Sequence, residues 1–206
     1  MEGTRRAYFA YGAMLSPETC KRRGIAAKKA TRVKLNDHCL CFDHRAGYGN
    51  LVEIGVDGQG KAKNFPSDQV HGVVYELSQR EWEALVRAEV GYRVIEVEVE
   101  PYEAEGSREK VIKASAFVSQ EELRIQAEEP TDPLPTARYL SLIQSGAAFH
   151  KLDQDYLEFL DSLQGVQTVP RVNFDTKRDR STRAVFAILV LSSLVASALA
   201  SKKLHV

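Results

Sequence analysis

The sequence predicts an α+β fold with an antiparallel or mixed sheet, and three features carry that reading. Strand-length apolar runs recur from Ala7 to Val118. One of them, Tyr92–Tyr102, sets Val97 and Val99 on one side against Glu96, Glu98 and Glu100 on the other. Such a strand has one wet face, which a doubly covered parallel sheet does not allow. Helical periodicity interrupts the strands between Leu77 and Gly91 and returns after them.

Taken in order, Ala7–Tyr11 is a short apolar run ending at Gly12, which predicts a buried strand and a tight turn. Ser16-Pro17-Glu18 starts a helix with a hydroxyl cap, a proline in the first position and an acid in the first turn, and Gly24 stops it. Strands are then expected at Thr31–Phe42, Leu51–Ile54, Val70–Leu77, Tyr92–Tyr102 and Val111–Val118. Ser78 with Glu81 forms a capping box, opening a helix that runs to about Glu89. Beyond an acidic, proline-rich loop at Glu128–Pro135, helices are expected near Thr136–Ser145 and Asp153–Gln164, with Gly146 and Gly165 as their C-terminal caps.

Composition narrows the function classes. The 206 residues suit one domain plus an additional segment, and 44% hydrophobic with 27% charged residues excludes a disordered chain. Lys plus Arg and Asp plus Glu both number 28, so the basic surplus of a nucleic-acid binder is missing and no such partner is expected. Three cysteines (Cys20, Cys39 and Cys41) are too few for a disulfide framework and suit a reducing compartment. A strand-like run beginning by about Ala7 leads to the expectation that no signal or transit peptide precedes the fold.

Two places stand out chemically. On the helix after Ser78 the inward stripe reads Trp82, Leu85 and Val86, and the next position on it is Glu89. A carboxylate aimed at the core must be paired, protonated or in a pocket, and desolvation raises its pKa toward the range of a general acid/base. The alternative is a frayed helix end that carries Glu89 outward. The second place is the turn Tyr11-Gly12-Ala13-Met14-Leu15, where a strand ends in glycine just before a helix. Unpaired backbone N–H groups there suit an anion or a developing oxyanion, against the alternative of an ordinary strand–helix turn. Cys39 and Cys41 share a strand face that His38 does not, so they read as small buried hydrophobes, and no metal site is expected. Gly47-Tyr48-Gly49 lacks the lysine and hydroxyl of a phosphate loop and reads as a turn.

Together these segments resemble the gamma-glutamyl cyclotransferase family. Tyr8-Phe9-Ala10-Tyr11-Gly12-Ala13-Met14-Leu15 is similar to the family's opening Tyr-Phe-Ala-Tyr-Gly-Ser-Asn-Leu, and His71-Gly72-Val73-Val74-Tyr75 to the strand before its catalytic helix. Leu85 through Glu89 to Tyr92 looks like its Leu-x-x-x-Glu-Gly…Tyr element. Arg138-Tyr139-Leu140 with Ser145-Gly146-Ala147, and Leu152 with Tyr156 and Leu160, resemble its closing helices. The family's Ser-Asn is Ala13-Met14 here, and the glycine after its glutamate is Val90, with Gly91 next. Both departures leave altered substrate choice or lost activity open.

The resemblance implies a small mixed β-barrel with surrounding helices, and formation of 5-oxoproline from a γ-glutamyl amino acid, peptide or amine. Glu89 would be the catalytic acid/base. Tyr11, Gly12, Ala13, Met14 and Leu15 would hold the substrate carboxylate and steady the oxyanion, with Tyr92 and Tyr139 positioning the substrate. Ring closure is intramolecular, so neither metal nor cofactor is expected. A non-catalytic module that binds γ-glutamyl compounds is the rival reading.

The expected organisation is a domain over 1–168, a basic linker over 169–183 and a hydrophobic helix over 184–201. The last segment is uncharged for eighteen residues, apolar all round, and flanked by Lys177, Arg178, Arg180 and Arg183 before it and Lys202 and Lys203 after it. At ~1.5 Å per residue it spans about 27 Å, close to the ~30 Å hydrocarbon core. A tail anchor inserted after synthesis is expected, with the catalytic domain on the cytosolic side. A helix buried in the core or in a dimer interface of a soluble cytoplasmic protein is the alternative.

Overall fold

The computed structural model describes residues 5–26, 29–54, 69–102, 111–125 and 134–167. All of them belong to the first of the two units into which the chain divides, Met1–Val169. The linker 169–183 and the apolar segment 184–201 lie outside the described residues. Among the described residues no helix is long and apolar enough to cross a membrane.

Five strands close into a barrel in the order β1 (Arg6–Ala10), β5 (Val70–Leu77), β2 (Ala30–Leu35), β6 (Tyr92–Pro101) and β7 (Ile112–Ser119). Every neighbouring pair is antiparallel except the seam, where β1 meets β7 in parallel at Tyr8 and Ser115. The barrel is therefore mixed, as the resemblance implied. At the β1–β5 pair Gly72 is obligatory, because a Cβ there would sit 2.3 Å from the Ala10 carbonyl oxygen. A two-stranded sheet of β3 (His38–Cys41) and β4 (Asn50–Glu53) stands beside the barrel. On β6 the alternation holds, with Val97 and Val99 buried and Glu96 and Glu98 exposed.

The helices are α1 (Pro17–Arg22), α2 (Gln79–Ala88), α3 (Ala137–Phe149) and α4 (Gln154–Ser162). Ser16, Ser78, Thr136 and Asp153 cap their N-termini through side-chain oxygens, and Ser78 with Glu81 forms the full capping box.

Three expectations need correction. The run Thr31–Phe42 is two strands, broken at Asn36-Asp37 where the chain leaves the barrel for the β3–β4 pair. Val86 is exposed, because α2 buries only the narrow stripe of Trp82 and Leu85. Gly146 does not cap α3 but lies inside it, where a Cβ would come within 2.5 Å of the Leu15 backbone carbon. That close approach seats α3 directly on the turn after β1.

Candidate active site

The turn after β1 is held from below and gripped from above. Ala13–Leu15 forms a single 3-10 turn, with the Leu15 amide donating to the Gly12 carbonyl and the Ser16 amide to that of Ala13. Beneath it, the Cys20 thiol (3.1 Å) and the Tyr75 hydroxyl (3.3 Å) both donate to the Met14 carbonyl. His150 Nε2 lies 3.1 Å from the Leu15 carbonyl and 3.0 Å from the Tyr75 hydroxyl. A carbonyl only accepts, so this nitrogen carries the proton. Burial lowers the His150 pKa, which keeps the ring neutral.

From the other side comes Tyr139 of α3. Its hydroxyl accepts the Gly49 amide at 3.0 Å and is hydrogen-bonded by the Ala13 backbone. A Cβ at Gly12 would lie 2.7 Å from that oxygen and one at Gly49 3.1 Å, so a side chain at Gly12 would displace the phenol and one at Gly49 would crowd it. Burial pushes the Tyr139 pKa up to about 12, against those backbone hydrogen bonds, and the phenol stays protonated. Tyr139 thus occupies the Ala13 amide of the turn.

Glu89 follows α2 as its C-cap, its amide donating to the Leu85 carbonyl at 3.0 Å. The side chain is 14% exposed, and its carboxylate accepts a hydrogen bond from Nη1 of Arg23. Burial raises the Glu89 pKa, and the Arg23 charge and hydrogen bond partly offset that rise. Arg23 is fixed through its backbone as the C-cap of α1, while its side chain, 27% exposed, crosses to a residue 66 positions away.

These groups border a cavity of about 670 Å³. Of the residues the sequence singled out, Glu89, Tyr11, Gly12, Ala13, Met14, Tyr92 and Tyr139 line it. Leu15 does not; it is fully buried beneath α3, so its side chain belongs to the core. Tyr11 spends its hydroxyl on the Phe117 carbonyl, which makes it a wall rather than a free donor. Tyr92 donates to the Gly49 carbonyl at 3.2 Å.

Sequence reasoning missed three contributors. Arg23 was one; the others are Tyr48 and the group behind it. Tyr48 lies 5.1 Å from Tyr139 between ring centres and stacks on His44, whose other face stacks on Tyr92. Burial lowers the His44 pKa, and the Ala46 amide donates to its Nδ1, placing the ring proton on Nε2. Below this stack Asp43 accepts from Asn50 (2.9 Å) and Arg124 (2.6 Å), and Asn50 in turn accepts the Ser119 amide. No local motif announces this wall, which depends on residues far apart in sequence coming together.

The profile of the AIG2-like family matches residues 69–160. Gamma-glutamyl cyclotransferase gliK of Aspergillus fumigatus is 27% identical over 173 residues, which make up 76% of this chain and 61% of that protein. The chain therefore spans about three-fifths of the length of this curated relative. Among solved structures, one named gamma-glutamyl cyclotransferase aligns with a TM-score of 0.60 at 20% identity, covering 86% of this chain and 99% of that one. An uncharacterised human protein aligns equally well, at 22% identity over 85% and 97% of the two chains. A yeast gamma-glutamyl cyclotransferase specific to glutathione aligns at 0.54 and 18% identity, over 77% and 94%. These structural likenesses establish the fold.

Proposed function

We propose, from its match to the AIG2-like family over residues 69–160 and its similarity to proteins named gamma-glutamyl cyclotransferase, that the chain cyclises a γ-glutamyl compound to 5-oxoproline and releases the amine. The observation that carries this is Glu89, a mostly buried carboxylate lining the cavity and paired with Arg23. Burial makes it more basic than a surface glutamate, and Arg23 offsets part of that rise and favours the ionised form that accepts a proton.

Glu89 takes a proton from the substrate's α-ammonium. The freed amine attacks the γ-carbonyl carbon, a C–N bond closes the five-membered ring, and the carbonyl oxygen becomes an oxyanion. In this reading the turn that lines the cavity at Gly12 and Met14 donates backbone amides to it, together with the Tyr139 phenol. Glu89 then returns the proton to the leaving nitrogen, the original amide bond breaks, and the ring nitrogen gives up its second proton, which the departing amine takes up, so that 5-oxoproline and an ammonium leave. Because nucleophile and electrophile share one molecule, the protein needs to fold the substrate and move protons from one nitrogen to the other. Tyr92 and Tyr139 form the wall against which the chain is folded.

Ala13 and Met14 favour a second reading, a module that binds γ-glutamyl compounds without turning them over. They replace two polar side chains of the family turn by apolar ones facing the cavity. Incubating the full chain with γ-glutamyl amino acids, glutathione and γ-glutamyl amines, and assaying 5-oxoproline, separates the two. Turnover of any of them supports the enzyme; binding by calorimetry without 5-oxoproline supports the module.

The uncharged run 184–201 supports attachment of this activity to a membrane, with the domain 1–168 on the cytosolic side and 169–183 as the linker. Resistance of the full chain to carbonate extraction tests it. Recovery in the soluble fraction contradicts it.

A further inference from the structure

Arg23 and Glu89 together present two opposite charges at one edge of the cavity, and Arg23 has more to offer than it uses. A guanidinium has five N–H donors, and the hydrogen bond to Glu89 runs through Nη1. One turn earlier on α1, Thr19 also lines the cavity. Its hydroxyl is buried and has no hydrogen-bond partner among the described residues. Thr19 and Arg23 are four residues apart at the end of α1, so they lie on the same side of it.

We propose that this edge is a zwitterion receptor in which Arg23, assisted by Thr19, takes the α-carboxylate of the substrate's glutamyl group while Glu89 takes its α-ammonium. The inference rests on the reading of the cavity as a γ-glutamyl site and adds a specificity-determining residue to it. Opening an ion pair away from water is costly unless both members are paired again. A ligand with an ammonium and a carboxylate on one carbon does this, because its charges replace the two that are separated. A ligand lacking either charge leaves one protein charge stranded, so the site selects against it. Thr19 gains the partner it lacks. The turn at Gly12 and Met14 is then left to the γ-carbonyl oxygen instead of serving both ends of the substrate.

The test compares γ-glutamylalanine with the same compound carrying its glutamyl α-carboxyl as a carboxamide. Binding to the full-length Glu89→Gln variant is measured by calorimetry, where little turnover intrudes, and kcat/KM is measured on the full-length chain with Glu89 intact. The acid is expected to be favoured over the amide by about 10–100-fold, the worth of hydrogen bonds to a charged group. Arg23→Met brings that preference down to within about threefold, Arg23→Lys retains part of it, and Thr19→Val reduces it by ~3–10-fold, each measured against its own parent. Thermal melts confirm that each variant is folded, and Thr19→Val, a near-isosteric change, supplies the answer if Arg23→Met is not. A chain that forms 5-oxoproline but does not distinguish acid from amide overturns this inference and leaves the activity standing. Preference for the acid that vanishes with Arg23, without 5-oxoproline from either compound, supports the receptor and overturns the catalytic reading. Equal losses for both compounds in Arg23→Met would mean that Arg23 acts only through Glu89, and the carboxylate role would be wrong.

Discussion

Two clusters of buried aromatic and ionisable groups, one around Glu89 and one around His71, differ in what they leave unspent. His71 stacks on Tyr156 with ring centres 4.6 Å apart, and its Nδ1 is hydrogen-bonded to the Tyr102 hydroxyl, which also accepts the Asp153 amide. Burial lowers the His71 pKa, so the ring is neutral at physiological pH, and none of these four residues lines the cavity. Glu89 is also desolvated, but it lines the cavity and is hydrogen-bonded to the long side chain of Arg23. Burial of a titratable group is therefore common to both clusters. What sets the Glu89 cluster apart is an acid–base pair and a cavity in one place.

The contrast is broken most severely at Glu89. Glu89→Gln should lower kcat by about 10²–10⁴-fold, the usual worth of general acid/base catalysis, while substrate still binds. Steady-state kinetics beside calorimetry checks this, and wild-type turnover would sink the assignment. Next comes Tyr139→Phe, which strands the Gly49 and Ala13 amides and removes a donor from the cavity. A fall of ~10–100-fold in kcat/KM is expected, together with a lower melting temperature.

The His71 cluster should answer in the opposite sense. His71→Phe keeps the stack on Tyr156 and loses the bond to Tyr102, costing about 1 kcal/mol. In a domain of this size that is a drop of ~2–4 °C in Tm, with kcat/KM changed less than about twofold. A loss of turnover there without a loss of stability would erase the distinction between the clusters.

The smallest effect sharpens the electrostatics. Arg23 holds the Glu89 pKa down against burial, so Arg23→Met should let it rise. Glu89 must be ionised to accept a proton, and the acid limb of the kcat/KM profile therefore moves to higher pH. An acid limb that stays in place or moves lower would show that Arg23 does not bear on Glu89 in solution.

Much of this arrangement was legible in the sequence because it is local. The bounds of β5, the capping box of α2, the alternation on β6 and the glycine turn after β1 each depend on residues within a few positions of one another. Glu89 could be picked because Trp82 and Leu85 mark the buried stripe one and two turns earlier. Val86 misled, since the period alone does not say how wide a stripe α2 buries. Arg23 could not be found that way: it reads as an exposed cation ending a short helix, and only the closure of the barrel brings it to Glu89. Gly146 was misread for a similar reason. A glycine near a helix end resembles a cap, whereas the demand on it comes from Leu15, far away in sequence. Met14 carries a further lesson, because it lines the cavity and is buried in the core at once. Restoring asparagine there is expected to cost stability as well as to change specificity.

The most direct test of the central claim is 5-oxoproline release, followed for the full chain and for Glu89→Gln on the same γ-glutamyl substrate at matched saturation. The account predicts equimolar 5-oxoproline and free amine from the wild type, and a variant that binds the substrate but turns it over at least about 100-fold more slowly. Equal rates from the two proteins would contradict it.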